Sequence, residues 1–120
     1  MSERGVVVVR RIYDWVDPDD GYRVLVDRLW PRGLSKEKAA VDHWLKTIAP
    51  SETLRKWIHA DKSRWNEFIA RYRGELKANP APLEELRALL AAHPKVTLLY
   101  ASTDDEHNNA IALLKIVEEG

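Results

Sequence analysis

Residues 27–33 gather side chains whose types and spacing suit the binding of an anion. Arg28 and Arg32 stand on either side of Trp30, and a guanidinium group is well shaped to contact a carboxylate or phosphate through two hydrogen bonds. Lys36 adds a charge in the first turn of a predicted helix, whose free N–H groups also favour an anion. We expect Arg28, Arg32 and Lys36 to hold a ligand on which Trp30 stacks. The alternative is that these cations form weak ion pairs with surface carboxylates.

Asp27 lies late in a predicted strand, among apolar neighbours. A carboxylate buried there needs a partner, because an unpaired buried charge is costly in free energy. One interpretation is a structural ion pair with Arg10, Arg11 or another nearby arginine. The other is that Asp27 acts as a general base, or orients an arginine that binds the ligand.

A second polar segment, residues 102–109, contains an imidazole and two amides. His107 lies one turn before the apolar stripe of the predicted last helix, so it faces the buried side. It is either a hydrogen-bonded core residue or an acid–base group that titrates near neutral pH. Asn108 and Asn109 are weak helix formers inside that predicted helix, which indicates a role such as hydrogen bonding to a ligand.

The carboxylates of the second segment also have a structural explanation. Thr103 and Glu106 have the spacing of a capping box, and a second register begins one residue earlier. Acidic residues in a first helical turn suit the helix dipole as well. Asp104, Asp105 and His107 have the chemistry of metal ligands, but no HxH or HExxH spacing accompanies them. We therefore expect no metal site.

The elements that must position these residues indicate an α/β fold, with a small sheet covered by helices. Runs of β-branched and apolar residues predict about three strands, at residues 5–13, 22–29 and 96–102. Apolar residues at helical spacing predict about five helices, at roughly residues 35–48, 51–58, 61–76, 82–93 and 105–118.

The order of these elements makes the sheet at least partly parallel. The second and third predicted strands are apolar on both faces and are separated by helices, which favours a parallel crossover inside a covered sheet. The first two strands are joined by roughly nine residues, which is short for a helical crossover and leaves their relative direction open. If the second and third strands are parallel neighbours, residues 27–33 and 102–109 face one crevice at the carboxyl edge, where open α/β sheets bind ligands.

The composition fits a single domain over residues 1–120. Hydrophobic residues make up 45% of the chain and charged residues 32%, which is typical of a globular protein. The chain has no cysteine, which excludes disulfides, thiolate nucleophiles and cysteine-ligated metals. We find no secretory signal pattern and no apolar run long enough for a bilayer, so we expect a cytoplasmic protein without membrane contact. The motifs of nucleotide-binding loops and serine hydrolases are also missing from the sequence, and we expect no cofactor.

Two other interpretations compete with a small-ligand crevice. Lys plus Arg and Asp plus Glu are both 19, and a net charge of zero argues against strong nucleic-acid binding. A non-catalytic module that binds nucleic acid or a protein would nevertheless use basic residues beside an exposed tryptophan. The residues in question are Arg10, Arg11, Arg23, Arg28 and Arg32, with Trp15 or Trp30. In the third interpretation the polar residues form only a structural network of Arg, Asp and Asn.

Residues 20–33 read DGYRVLVDRLWPRG, and residues 106–110 read EHNNA. This pattern resembles the YeaO-like proteins of the bacterial family called domain of unknown function 488, and the resemblance covers nearly the whole chain. It implies a small cytoplasmic α/β protein with parallel strands and a helix between the first two, and it implies no particular reaction. The chain departs from the family at Thr103, where lysine is usual, and at Ala60 and Asp61, where Asp-Pro is usual. The change at Thr103 weakens any mechanism that needs a cation there.

The sequence thus predicts a crevice, formed by residues 27–33 and 104–109, that binds a phosphate, a carboxylate or a nucleotide. Asn108 and Asn109 would hydrogen-bond this small anionic ligand beside the arginines. If chemistry occurs, Asp27 or His107 is the expected acid–base group, and a hydrolytic or transfer reaction is the expected class.

Overall fold

Four parallel strands form one sheet in the computed structural model of the protein, which describes residues 5–119. In chain order they are β1 (Val6–Arg11), β2 (Tyr22–Leu25), β3 (His43–Trp44) and β4 (Lys95–Tyr100). Their order across the sheet is β1-β4-β2-β3, and every neighbouring pair is parallel. The predicted α/β class is confirmed, with one short edge strand more than the sequence indicated.

β4 lies between β1 and β2, so its Leu98 stands opposite Val9 on one side and Val24 on the other. Residues 96–100 are all buried, as expected for a strand that is apolar on both faces. β1 and β2 are parallel without being neighbours, which agrees with the direction that the family resemblance implies. Their link contains only a single 3-10 turn (Pro18–Asp20), where the resemblance implies a helix.

Five α-helices surround the sheet in the described part of the chain, together with three single-turn 3-10 helices. No helix within residues 5–119 is long and apolar enough to cross a membrane. The α-helices are α1 (Lys36–Ala39), α2 (Glu52–Ala60), α3 (Trp65–Ala78), α4 (Ala81–Ala92) and α5 (Asn109–Glu119).

The main hydrophobic core lies between one face of the sheet and helices α2 to α5. Val24 and Leu98 of the sheet belong to the same buried cluster as Phe68, Leu86 and Leu113 of the helices. A smaller cluster covers the other face, where Leu25 and Leu99 pack with residues of α1 and of the chain around Trp30 and Trp44. The two faces are therefore covered unequally, by four helices on one side and by α1 with irregular chain on the other.

The predicted helix at residues 35–48 is wrong beyond its first turn. Ser35 caps α1 as expected, through the backbone N–H of Lys38. The helix ends at Ala39 because Ala40 adopts a left-handed conformation, with φ of 50°. The chain then pairs with the sheet edge as β3, and Trp44 lies opposite Leu25. Strand pairing, a tertiary interaction, overrides the helical spacing of the apolar residues here.

Two further boundaries differ from the sequence prediction. The second strand ends at Leu25, not near residue 29. The last helix begins at Asn109, not near residue 105, because Asn108 caps it by accepting a hydrogen bond from the backbone N–H of Ile111. Residues 26–35 and 101–108 are consequently irregular chain that follows two adjacent strands.

A buried ion-pair network lies on the face of the sheet opposite the main core. Arg23 is 4% exposed, and its guanidinium donates to Asp20 and to the backbone carbonyls of Ala39 and Ala40. The same carboxylate accepts from Arg10. Arg23 is thus unavailable to a basic surface, where the nucleic-acid interpretation had placed it, and Arg10 is largely committed to Asp20.

Candidate anion-binding cleft

A cleft of about 600 Å³ opens at the carboxyl edge of the sheet. The chain that follows β2 forms one wall, and the chain that follows β4 forms another. Residues of α2 and the start of α3 complete it. The two segments meet here because β2 and β4 are parallel neighbours, so that both strands end at the same edge of the sheet.

Seven of the eight predicted site residues line this cleft. Lys36 is the exception: it is exposed in α1, on the less covered side of the sheet, and it does not line the cleft. The predicted set that does line it is Asp27, Arg28, Trp30, Arg32, His107, Asn108 and Asn109.

Asp27 is held in the cleft by neutral hydrogen-bond donors. Its Oδ2 accepts from the backbone N–H of Ala101 at 2.9 Å, and its Oδ1 accepts from the Asn109 side chain at 3.2 Å. No cation among residues 5–119 pairs with it, because Arg10 donates to Asp20 and Arg11 donates to the carbonyl of Ser102. The ion-pair interpretation of Asp27 is therefore wrong. Burial raises the pKa of this carboxyl, although both hydrogen bonds act in the opposite direction.

The two asparagines differ in what their side chains contact. Asn108 is buried, its Oδ1 accepts from Ile111 and its Nδ2 donates to the carbonyl of Asp104. Helix capping therefore accounts for the amide that the sequence assigned to a ligand. Asn109 donates to Asp27, and its Oδ1 accepts no hydrogen bond from the described residues. Of the two, Asn109 has the acceptor that a ligand could use.

His107 lies at the cleft wall, with 32% of its side chain exposed. Its ring contacts Trp65 edge to face at a centroid distance of 5.0 Å. Its Nδ1 lies 3.3 Å from the Asp104 carboxylate. Asp104 also accepts from Lys62 at 2.6 Å and from the backbone N–H groups of Glu106 and His107. The hydrogen bond from Lys62 and these backbone donors hold the pKa of Asp104 well below its usual range.

The predicted capping box of Thr103 and Glu106 is wrong. Asp104 provides the local cap in its place, since it accepts from the backbone two and three residues ahead. The physical reason is that an aspartate side chain turns the backbone of the residues just after it. The helix itself starts only five residues later, at Asn109.

The cleft carries more cationic than anionic side chains. Arg28 lies 3.8 Å from Glu52, in a pair that is about half exposed on both sides, and Lys62 is paired with Asp104. The Arg32 and Arg55 side chains form no ion pair or hydrogen bond with other described residues. These two guanidinium groups are therefore the cations that are free to contact a ligand.

Sequence reasoning missed the cations that α2 and the following turn contribute. Arg55, His59 and Lys62 all line the cleft. The four-residue spacing of Arg55 and His59 is the signal that these two share one face of α2, and Lys62 lies in the turn that follows the helix. Burial, together with the positive charges of Arg55 and Lys62, lowers the pKa of His59. This lowered pKa disfavours the charged form of His59.

Aromatic and aliphatic side chains line the rest of the cleft. Trp65 is half-buried and packs on Phe68 at a ring distance of 5.1 Å, and both residues border the cleft with Ile58. Trp30 also borders it, but its indole N–H donates to the carbonyl of Leu34 and its ring packs against Trp44. Trp65 also packs against the main core, so its ring belongs to both the core and the cleft.

No group of three or more metal-ligating side chains occurs in residues 5–119. Most of the polar groups that line the cleft are guanidinium groups and amides. The guanidinium groups suit anions, and the amide oxygens suit hydrogen-bond donors.

Known proteins of three bacteria are similar to this chain. The chain matches a family model described as "Inactive DUF488-N3 subclade" over residues 6–120. Similar uncharacterized proteins of Mycobacterium tuberculosis and Mycobacterium bovis are 42% identical over 111 residues, which cover 92% of each chain. The uncharacterized protein YeaO of Escherichia coli is 39% identical over 104 residues, covering 87% of this chain and 90% of YeaO. No solved structure matches the chain significantly.

Proposed function

Because the chain belongs to the inactive DUF488-N3 subclade, among the YeaO-like proteins, we propose that its cleft binds a small anionic ligand without chemical turnover. The observation that carries the proposal is the pair of unengaged guanidinium groups, Arg32 and Arg55, in a concave site at the carboxyl edge of a parallel sheet. A cleft with one sign of charge in excess concentrates the opposite ion.

The charge balance supports an anion over a cation. Glu52 is already close to Arg28, and Asp27 lies further inside the cleft, half-buried. The Arg, Lys, Asp and Glu side chains that line the cleft are Arg28, Arg32, Arg55 and Lys62 on the positive side, and Asp27 and Glu52 on the negative side.

The family description supports binding in preference to catalysis. The subclade is described as inactive, which favours binding without turnover. Asp27 and His107 are the groups that would serve as acid and base if turnover occurred, since both line the cleft. Turnover of a bound ligand would contradict the second half of the proposal and would be lost in Asp27→Asn or His107→Gln.

The nucleic-acid interpretation has less support from the geometry. Arg23 is buried and Arg10 is bound to Asp20, which removes two of the five arginines it needs. A small ligand requires only the cleft. Gel retardation of an oligonucleotide at low salt, lost steeply as salt rises, would favour the nucleic-acid interpretation instead.

Isothermal titration calorimetry tests the proposal with inorganic phosphate, pyrophosphate, citrate and a mononucleotide at low ionic strength. We expect at least one anion to bind the wild-type protein. The double variant Arg32→Ala/Arg55→Ala should bind it about a hundredfold more weakly or worse, because each charge-assisted hydrogen bond contributes about 1.5–3 kcal/mol and one is lost from each arginine.

The matched control is Arg87→Ala, since Arg87 lies on α4 outside the cleft lining. It removes one positive charge outside the cleft, against two inside it in the double variant, and should leave the affinity unchanged. Equal affinity in the double variant and the control, or no binding by any anion of the panel, would overturn the proposal. Thermal melts confirm that the variants are folded.

A further inference from the structure

The cleft is large enough to enclose a ligand bigger than an inorganic anion. Its volume is about 600 Å³, and sites of about 300–1,000 Å³ are those that enclose organic ligands of drug size. A phosphate or a simple carboxylate would contact Arg32 and Arg55 and leave most of the cleft empty. The anionic group is therefore one end of a larger molecule.

The body of that molecule meets a largely apolar wall with aromatic character. Trp65 and Phe68 stack on each other at 5.1 Å, and they border the cleft with Ile58 and Pro50. Trp65 is half-buried, so part of its ring is open to the cleft. An indole offers a broad flat contact surface to which a planar ring is well matched.

The inner part of the cleft offers acceptors rather than cations. Asp27 accepts one hydrogen bond at each oxygen, which leaves further acceptor capacity on both. Asn109 presents an Oδ1 that accepts nothing from the described residues. Both side chains are half-buried. A carboxylate repels an anion, so the charged group of the ligand must lie at the arginines, and its opposite end must donate hydrogen bonds.

We infer that the ligand is an anion joined to a planar nitrogen heterocycle with a donating edge, which is the chemistry of a mononucleotide that carries an amino group on its base. The inference rests on the proposed anion binding of the cleft. The phosphate contacts Arg32 and Arg55, the base lies along Trp65, and its amino or ring N–H donates to Asp27 and Asn109.

A set of truncated ligands tests this assignment by calorimetry. AMP, GMP and CMP carry the anion, the base and an amino group; ribose 5-phosphate carries only the anion and the sugar; adenosine lacks the phosphate. We expect at least one of the three nucleotides to bind about tenfold more tightly than ribose 5-phosphate, because donation to a charged acceptor is worth that much or more. Adenosine should bind weakly, and loss of the Arg32 and Arg55 side chains should weaken nucleotides and ribose 5-phosphate alike.

The variant Asp27→Asn tests the contact with the base separately from the contact with the phosphate. It keeps the shape of the side chain and one acceptor but removes the charge. The preference for the nucleotide over ribose 5-phosphate should fall by about tenfold, while ribose 5-phosphate itself should bind as well as before or better. A merely structural role of Asp27 would weaken both ligands equally.

The outcomes distinguish this inference from the proposed function. If ribose 5-phosphate or inorganic phosphate binds as tightly as every nucleotide, the inference is wrong and the anion cleft stands. If an aliphatic anion such as citrate exceeds all nucleotides, the inference is again wrong. If nothing binds, both fail. A nucleotide preference that Asp27→Asn leaves intact overturns the assignment of the donating edge.

Discussion

Replacing Arg23 with methionine should destabilise the protein severely, although Arg23 does not line the cleft. Arg23 is 4% exposed, and all three nitrogens of its guanidinium donate to protein acceptors: Asp20, Ala39 and Ala40. Methionine preserves most of the side-chain length and volume. The variant therefore removes the charge and the hydrogen bonds while leaving little cavity.

The size of the loss in the free energy of unfolding depends on the groups that lose their partner in the variant. Breaking a buried ion pair by removing one partner costs about 3–5 kcal/mol. Asp20 keeps its hydrogen bond to Arg10 at 2.9 Å, which favours the lower part of that range, while the buried carbonyl of Ala39 loses its donor and adds to the loss. We expect a decrease of about 3–4 kcal/mol in the free energy of unfolding, and a Tm lower by roughly 10–20 °C for a domain of this size.

Urea and thermal unfolding followed by circular dichroism measure this loss, with Arg87→Met as the matched control. Arg87 is half-buried on α4 and has no ion pair with another described residue, so its loss should change the Tm by only a few degrees. A decrease for Arg23→Met that is no larger than that of the control would refute the reasoning. The network would then be held by Asp20 and Arg10 alone.

Three further predictions concern single side chains. Burial raises the native pKa of Asp27, so wild-type stability should fall as pH rises through that pKa; the Tm of Asp27→Asn relative to wild type should therefore increase from about pH 3.5 to about pH 7, and a constant difference would contradict this. Tyr72→Phe should lower the free energy of unfolding in urea by about 1–3 kcal/mol, because the carbonyl of Ile48 loses a buried donor; a loss below that range would show that water replaces it. Asn108→Ala should lose about 1 kcal/mol or more through the missing cap on Ile111 and the lost donor to the carbonyl of Asp104, and Asn108→Asp should restore only the cap in the same assay, because a carboxylate cannot donate to that carbonyl.

The sheet was predictable where the sequence makes a strand apolar on both faces. Val24 and Leu98 lie in runs of consecutive apolar residues, which do not fit the pattern of an amphipathic helix. Both residues form the buried centre of the sheet. β3 could not be found this way. His43–Trp44 is only two residues long and lies within helical spacing, and its pairing with β2 is decided by the left-handed turn at Ala40. Such a turn is not favoured by alanine, so only the surrounding packing explains it.

The cleft was predictable to the extent that parallel strands bring their carboxyl ends together. Asp27 and His107 are 80 positions apart in the sequence, yet one rule of sheet topology places them at the same edge. Arg55 was missed because the direction in which α2 crosses the sheet depends on packing rather than on local spacing. Lys36 was misplaced because the chain after Trp30 turns to the less covered face of the sheet, where Trp30 packs against Trp44.

Asp20 and Asp27 lie seven positions apart, and they differ in whether a cation pairs with the carboxylate. Asp20 is shielded from water and receives two guanidinium groups. Asp27 is also half-buried, yet it receives only amide donors, and its pKa is raised by burial. Arginines are available nearby, because Arg28 is its neighbour in the chain and Arg32 lines the same cleft. In the complex that we propose, this carboxyl contacts the hydrogen-bond donor of the ligand, while Arg32 and Arg55 contact its anionic group.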